Sequence, residues 1–217
     1  MKLEVKRFVN KHKKDWVLIA VTAFATVFTI IGLSYVSGTA VSNSSITASV
    51  YVPLDFLESR NRAADAAQRI TDLTNISASN LGSISDADQR GDYAGGIKLV
   101  SAEIERNKKI GDAAIDLSEE LREMAKNLNS VKPSDASSLG FRAVTTGIEL
   151  VQRLVSYNNN MHELLNTLQT RLNNGGDDST RARIEELINA LNDEAKVINQ
   201  LDSDYKNLMG QFDNLTG

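Results

Sequence analysis

The sequence predicts an all-α protein: an N-terminal transmembrane helix followed by an up-down antiparallel four-helix bundle with coiled-coil-like packing. Three observations predict it. Residues 16–36 form a 21-residue run without a charge. Pro occurs only at Pro53 and Pro133 in 217 residues, so long helices meet few breaks. The last forty residues repeat apolar side chains at alternating spacings of 3 and 4, the seam of a coiled coil.

Residues 1–15 make a basic tip. Lys2, Lys6, Arg7, Lys11, Lys13 and Lys14 face only Glu4 and Asp15, a balance of +4 in a chain whose total is −4, so the rest carries −8. The charge-free run 16–36 matches the roughly 20 residues needed to cross a bilayer core as a helix. Trp16 and Tyr35 stand at its two ends, where aromatic side chains favour the headgroup layer. The Lys/Arg excess precedes the run, so the tip is expected in the cytoplasm and the body outside it. Membrane lipid is the partner expected for residues 16–36. Gly38 and Ala40 are small residues two apart, a spacing that a signal peptidase accepts. Cleavage there would make the protein secreted. No second apolar run of this length follows, so a single pass is expected.

Residues 37–53 are small and hydroxyl-rich and read as a linker, with ITASVYV able to form a short extended piece. The bundle domain is 54–217. Its first helix is expected over Leu54–Ile84 after Pro53, with Leu57, Ala64, Ala67, Ile70, Leu73, Leu81 and Ile84 on one side. The second is expected over Asp92–Val131, with Tyr93, Ile97, Val100, Ile104, Ile110 and Ala114 leading its stripe, until Lys132-Pro133 stops it. The third covers Ser134–Asn173 up to Asn174-Gly175-Gly176, and the fourth Ser179–Leu215 behind Asp177 and Asp178. The fourth seam reads Ile184, Leu187, Leu191, Glu194, Ile198, Leu201, Tyr205, Leu208, Phe212 and Leu215.

Arg90-Gly91-Asp92-Tyr93 resembles the turn of tetratricopeptide repeats, in which GDY precedes the second helix of a pair. The resemblance covers these few residues and does not recur along the chain. The same residues also read simply: Gly91 closes one helix, Asp92 caps the next and Tyr93 packs into the hairpin.

In the two central helices the apolar rhythm slips through two spacings of 3, at Ile104, Asn107, Ile110 and at Val155, Asn158, Met161. Folding the hairpin about Lys132-Pro133 pairs Asn107 with Asn158. The next turn brings the fourth helix level near its one polar seam member, Glu194. A mid-bundle polar layer of Asn107, Asn158 and Glu194 is therefore expected, with Arg69 or Thr71 at a similar level. Its first role is register specification, and a small-molecule site is the lesser alternative.

Cysteine is absent, which excludes disulfides, thiolate nucleophiles and Cys-ligated metals. His162 falls one turn from Asn158, but a bundle metal centre needs Glu-x-x-His on two helices. Position 159 is Asn, and the other histidine is His12. His162 is expected at the rim, with no metal and no cofactor. No G-x-S-x-G, Walker loop or H-E-x-x-H occurs, and Gly95-Gly96 reads as a close-packing spot. No enzyme is expected. The acidic body argues against nucleic acid as a partner. Glu119-Glu120 and Glu185-Glu186 read as solvated faces, and Asn43, Asn75 and Asn214 each begin an N-x-S/T triplet.

These features converge on a single-pass, membrane-anchored extracytoplasmic bundle serving as a protein-interaction, scaffold or assembly subunit of the cell envelope. Other proteins, or a second copy of itself, are its expected partners. The alternative is a ligand-binding module. In outline the chain is similar to the helical sensor domains of chemoreceptors, four-helix bundles that follow a membrane helix. Those continue into a second membrane helix, whereas Leu215-Thr216-Gly217 ends here, so a partner subunit is implied for signal transfer.

Overall fold

The computed structural model describes residues 50–175 and 177–217. The tip, the 16–36 run with Trp16 and Tyr35, and most of the linker lie outside the described residues. Four helices pack against one another: α1 (Leu54–Arg90), α2 (Tyr93–Asn127), α3 (Ser134–Asn174) and α4 (Asp178–Thr216). Among the described residues there are no strands. Of the expected extended piece only residues 50–52 are described, and they include one bridge, Tyr51 to Lys132.

The helix ends follow from local chemistry. Pro53 lacks an N–H, and its carbonyl accepts the Leu57 N–H at 3.3 Å, starting α1. α1 runs past the expected Ile84 to Arg90, because nothing breaks it before Gly91, which adopts φ 74°. Asp92 then caps α2, its Oδ1 accepting the Gly95 N–H at 2.9 Å. Tyr93 does not pack into the hairpin; it is 52% exposed. α2 stops at Asn127, short of the expected Val131, and a 3-10 turn, Leu128–Ser130, leads towards Pro133. The Leu128 carbonyl accepts both the Val131 N–H at 3.1 Å and the Ser137 hydroxyl at 2.7 Å, tying the turn to the start of α3. α3 ends before Gly175, again at φ 74°. Asp177 caps α4: its Oδ1 accepts the Thr180 hydroxyl at 2.6 Å, the Thr180 N–H at 2.7 Å and the Ser179 hydroxyl at 2.9 Å. Those donors, the Thr180 hydroxyl foremost, hold its carboxyl down to about 2.

The described residues group into two compact units, and every helix contributes to both. The first unit comprises 72–111 and 156–196. The second comprises 50–71, 112–155 and 197–217. In the second, Arg62–Glu120 and Arg69–Asp116 step along α1 and α2 in opposite senses, so these neighbours are antiparallel. Phe56 lies against Phe212 with ring centroids 5.3 Å apart, bringing the start of α1 to the end of α4. In the first, Arg183 of α4 bonds Glu163 of α3, and Gln169 of α3 reaches Ser101 of α2.

The buried faces correct the expected stripes. On α1 the core face is Phe56, Ser59, Ala63, Ala66, Ile70, Thr74, Ser77, Leu81 and Ile84; Leu57 is exposed and Leu73 half-buried. On α2 it is Gly96, Val100, Glu103, Asn107, Ile110, Ala114 and Leu117, alternating 4 and 3 without a break. The expected slip at Ile104 is absent, because Glu103 occupies the core position and Ile104 flanks it. The slip on α3 is absent for the same reason: Tyr157 is buried, while Val155 is exposed. On α4 the unbroken rhythm is Ile184, Ile188, Leu191, Ala195, Ile198, Asp202, Tyr205, Met209 and Phe212. Glu194 and Leu201 are half-buried beside it, and Leu215 is exposed.

Two glycines let helices approach in the second unit. A Cβ on Gly140 would stand 2.3 Å from Leu128 Cδ2, and one on Gly147 would stand 3.1 Å from Leu121 and 3.2 Å from Tyr205. In the first unit Gly96 lies under Leu172, as expected for a close-packing spot.

Candidate functional site

The most polar part of the core lies in the first unit. Glu103 on α2 is 1% exposed, although a carboxylate is costly to bury without partners. It has two. Asn80 of α1 donates its Nδ2 to Glu103 Oε2 at 3.0 Å, and Arg106, one turn along α2, donates its Nη1 to the same oxygen. Arg106 is half-buried, so its charge faces Glu103 on one side and water on the other. Charge-assisted bonds of this kind are the strong ones and fix orientation as well as energy.

Asn107 follows immediately and is also buried. Its Nδ2 donates to the backbone carbonyl of Asn158 at 3.0 Å. The two asparagines thus meet through one side chain and one backbone, not through two amides. Asn158 is half-buried and lies beside Gly111, where an added Cβ would come within 3.0 Å of its Nδ2. Its Oδ1 is buried without a hydrogen-bond partner. Glu194 lies in the same unit, half-buried on the flank of the α4 core face, with Ala195 at the core position. Arg69 and Thr71 are engaged elsewhere. Arg69 pairs with Asp116 at 2.8 Å, and the Thr71 hydroxyl bonds the Ala67 carbonyl at 3.1 Å, both in the second unit.

Sequence reasoning therefore missed Glu103, Asn80 and the α1 hydroxyls. A seam drawn through large apolar residues takes Ile104 and passes over Glu103. A strict heptad carried from Val100 to Asn107 would have found it. Thr74 and Ser77 are buried on α1, and the Ser77 hydroxyl satisfies itself on the Leu73 carbonyl at 3.2 Å. Asp88 of α1 and Arg171 of α3 form a half-buried ion pair at 2.9 Å in the same unit.

The second unit holds its polar groups differently. Arg60 grips Asp213 with two bonds, 2.6 and 2.8 Å. Asp202 is buried against Lys206 at 2.9 Å; burial raises its carboxyl above the usual range and the Lys206 bond opposes that. Tyr205 is buried, and desolvation pushes its hydroxyl up to about 12. Glu120 is not a solvated face: it is half-buried and receives Arg62 Nε at 2.9 Å. Glu119, Glu185 and Glu186 are exposed. An open groove of about 600 Å³ runs between α3 and α4 of this unit, lined by Phe141, Arg142, Thr145, Asp204 and Leu208 among others.

His162 is exposed, at the rim. Among the described residues no three His, Asp or Glu side chains are grouped to hold a metal ion. Asn75 and Asn214 are exposed, whereas Asn43 lies outside the described residues. The buried cluster can fix helix register and orientation; it presents no nucleophile paired with a base. The chain matches no protein-family model, no curated protein and no solved structure.

Proposed function

We propose that this protein is a single-pass, membrane-tethered helical bundle that acts outside the cytoplasm by docking other proteins, as a scaffold or assembly subunit. One observation carries the reading: the charge-free run 16–36, bounded by Trp16 and Tyr35 and preceded by a +4 tip. Among the described residues no helix is long and apolar enough to cross a membrane, so in this reading the tether is that run alone. The bundle adds a second support. Its buried charges face internal partners, as Glu103 does with Asn80 and Arg106, which suits a rigid display surface.

The test is a tag placed after Gly217 in the full chain, probed with protease added to intact cells and combined with crosslinking capture. Cleavage of the tag from outside and recovery of a second protein are expected. A tag protected until the membrane is opened overturns the topology, and capture of the chain alone overturns the docking role.

The ligand-binding alternative is favoured by one detail, the buried Asn158 Oδ1 without a partner beside Gly111. A ligand seated there raises the melting temperature by mass action, and Asn158→Ala abolishes that rise.

A further inference from the structure

Apolar side chains exposed singly on a helix need no explanation. Ile76, Ile115, Val155 and Val197 are of that kind. A different pattern holds at one end of the second unit, where exposed apolar groups gather. Val50 is 51% exposed, Tyr51 55% and Leu54 68%, with Leu57 and Leu215 also exposed. Two contacts bring them to the same end. Phe56 against Phe212 joins the start of α1 to the end of α4. The Tyr51 N–H and carbonyl bond Lys132 at 3.2 and 2.8 Å, pinning the incoming chain to the loop between α2 and α3.

We propose that this end of the second unit rests on the lipid surface, with Tyr51, Leu54 and Leu57 among the headgroups and upper acyl chains. The inference rests on the tether reading above. Residues 37–49 are all that separate the apolar run from Val50. Thirteen residues reach at most about 45 Å even when fully extended. The end that bears the exposed groups is thus the end held next to the bilayer, at high effective concentration. Tyrosine with adjacent leucines is the composition that favours the interfacial layer. Charge decides the type of contact. Asp55, Glu58 and Asp135 outnumber Lys132 on residues 50–58 and 128–135, and Arg60 is already held by Asp213. The surface is therefore suited to apolar insertion into zwitterionic lipid, and anionic lipid should weaken it.

The cysteine-free sequence makes the test direct. The full chain is reconstituted in phosphatidylcholine vesicles, with single substitutions Leu54→Cys and, as control, Ile115→Cys, each carrying an environment-sensitive dye. Ile115 adjoins Asp116, which pairs with Arg69, fifteen residues or about 22 Å along α1 from Leu54. Acyl-brominated lipid then quenches by proximity, and Trp16 emission reports the tether in the same samples. The expected result is quenching of Trp16 and of the label at position 54, several-fold stronger than at position 115. Adding Leu57→Asp should reduce quenching at position 54 with helicity by circular dichroism unchanged. Trp16 quenched with position 54 unquenched overturns the docking and leaves the tether standing. Trp16 unquenched removes the tether and this inference with it. Equal quenching at 54 and 115 overturns a contact confined to this end. A label at 54 shielded from aqueous iodide yet unquenched by lipid also overturns it, because protein then covers the site.

Discussion

The two units are built from the same four helices but align them by different means. The first carries Thr74, Ser77, Glu103 and Asn107 among its buried side chains, and its helices are keyed by directional bonds. The second also has bonds between helices, Arg60 to Asp213 foremost, but leans more on shape: Phe56 and Phe212 meet as a tilted pair, and Gly140 and Gly147 admit Leu128, Leu121 and Tyr205. Directional bonds discriminate between registers, because a slipped helix leaves Glu103 without Asn80. Close packing discriminates through sterics, because a densely packed interior tolerates little change of volume. The balance between the two means thus differs along the chain.

This contrast can be broken at several points. The largest effect is expected from Phe212→Ala, which empties a fully buried aromatic position and costs about 4 kcal/mol in urea unfolding. Next is Glu103→Ala, at about 3 kcal/mol, because Asn80 and Arg106 lose their shared acceptor. The paired change Asn80→Leu with Glu103→Leu sharpens the point. It should return stability to within about 1 kcal/mol of the parent while broadening the amide spectrum, the mark of a relaxed register. A paired variant as unstable as Glu103→Ala would show that the cluster contributes cohesion after all.

Gly140→Ala tests the other unit. The new methyl meets Leu128 Cδ2, which is itself fully buried, and a cost of about 2 kcal/mol is expected in thermal unfolding. Asn107→Ala should cost less, about 1 kcal/mol, since it removes one neutral bond to the Asn158 carbonyl. The smallest effect concerns pH. Burial raises the folded carboxyl of Asp202, with the Lys206 bond opposing. A raised acid makes ionisation the costly state, so that cost is present above the raised value and relieved as pH falls through it towards 3.8. Asp202→Asn should therefore raise Tm at pH 7 by no more than about 2 °C, and the gain should shrink on acidification.

Helix number and most helix ends were legible because their signals are local: Pro53, Gly91-Asp92, Lys132-Pro133 and Gly175 each act on the adjoining backbone. Registers were less legible. A stripe read from large apolar residues picks Leu57 over Phe56 and Ser59, Ile104 over Glu103, and Leu201 over Asp202. In each case the heptad continues unbroken through a small or polar residue. Burial is decided by position on the helix, and a polar group at a core position is tolerated once it is bonded. The contact between Asn107 and Asn158 lies where the hairpin pairing puts it, although the apolar rhythm slips in neither helix. Glu103 could not be found from its chemistry alone, because its partners Asn80 and Arg106 come from folding and from one helical turn, respectively.

Arg60 and Asp213 are separated by 153 positions, and Phe56 waits as long for Phe212. The opening turns of α1 therefore find their ring and carboxylate partners only on the last turns of α4. Closing this side of the second unit therefore requires α4 to be intact through Asp213. Any shortening that removes Phe212 and Asp213 leaves the opening turns of α1 with an open flank, and the end of α4 acts as their latch.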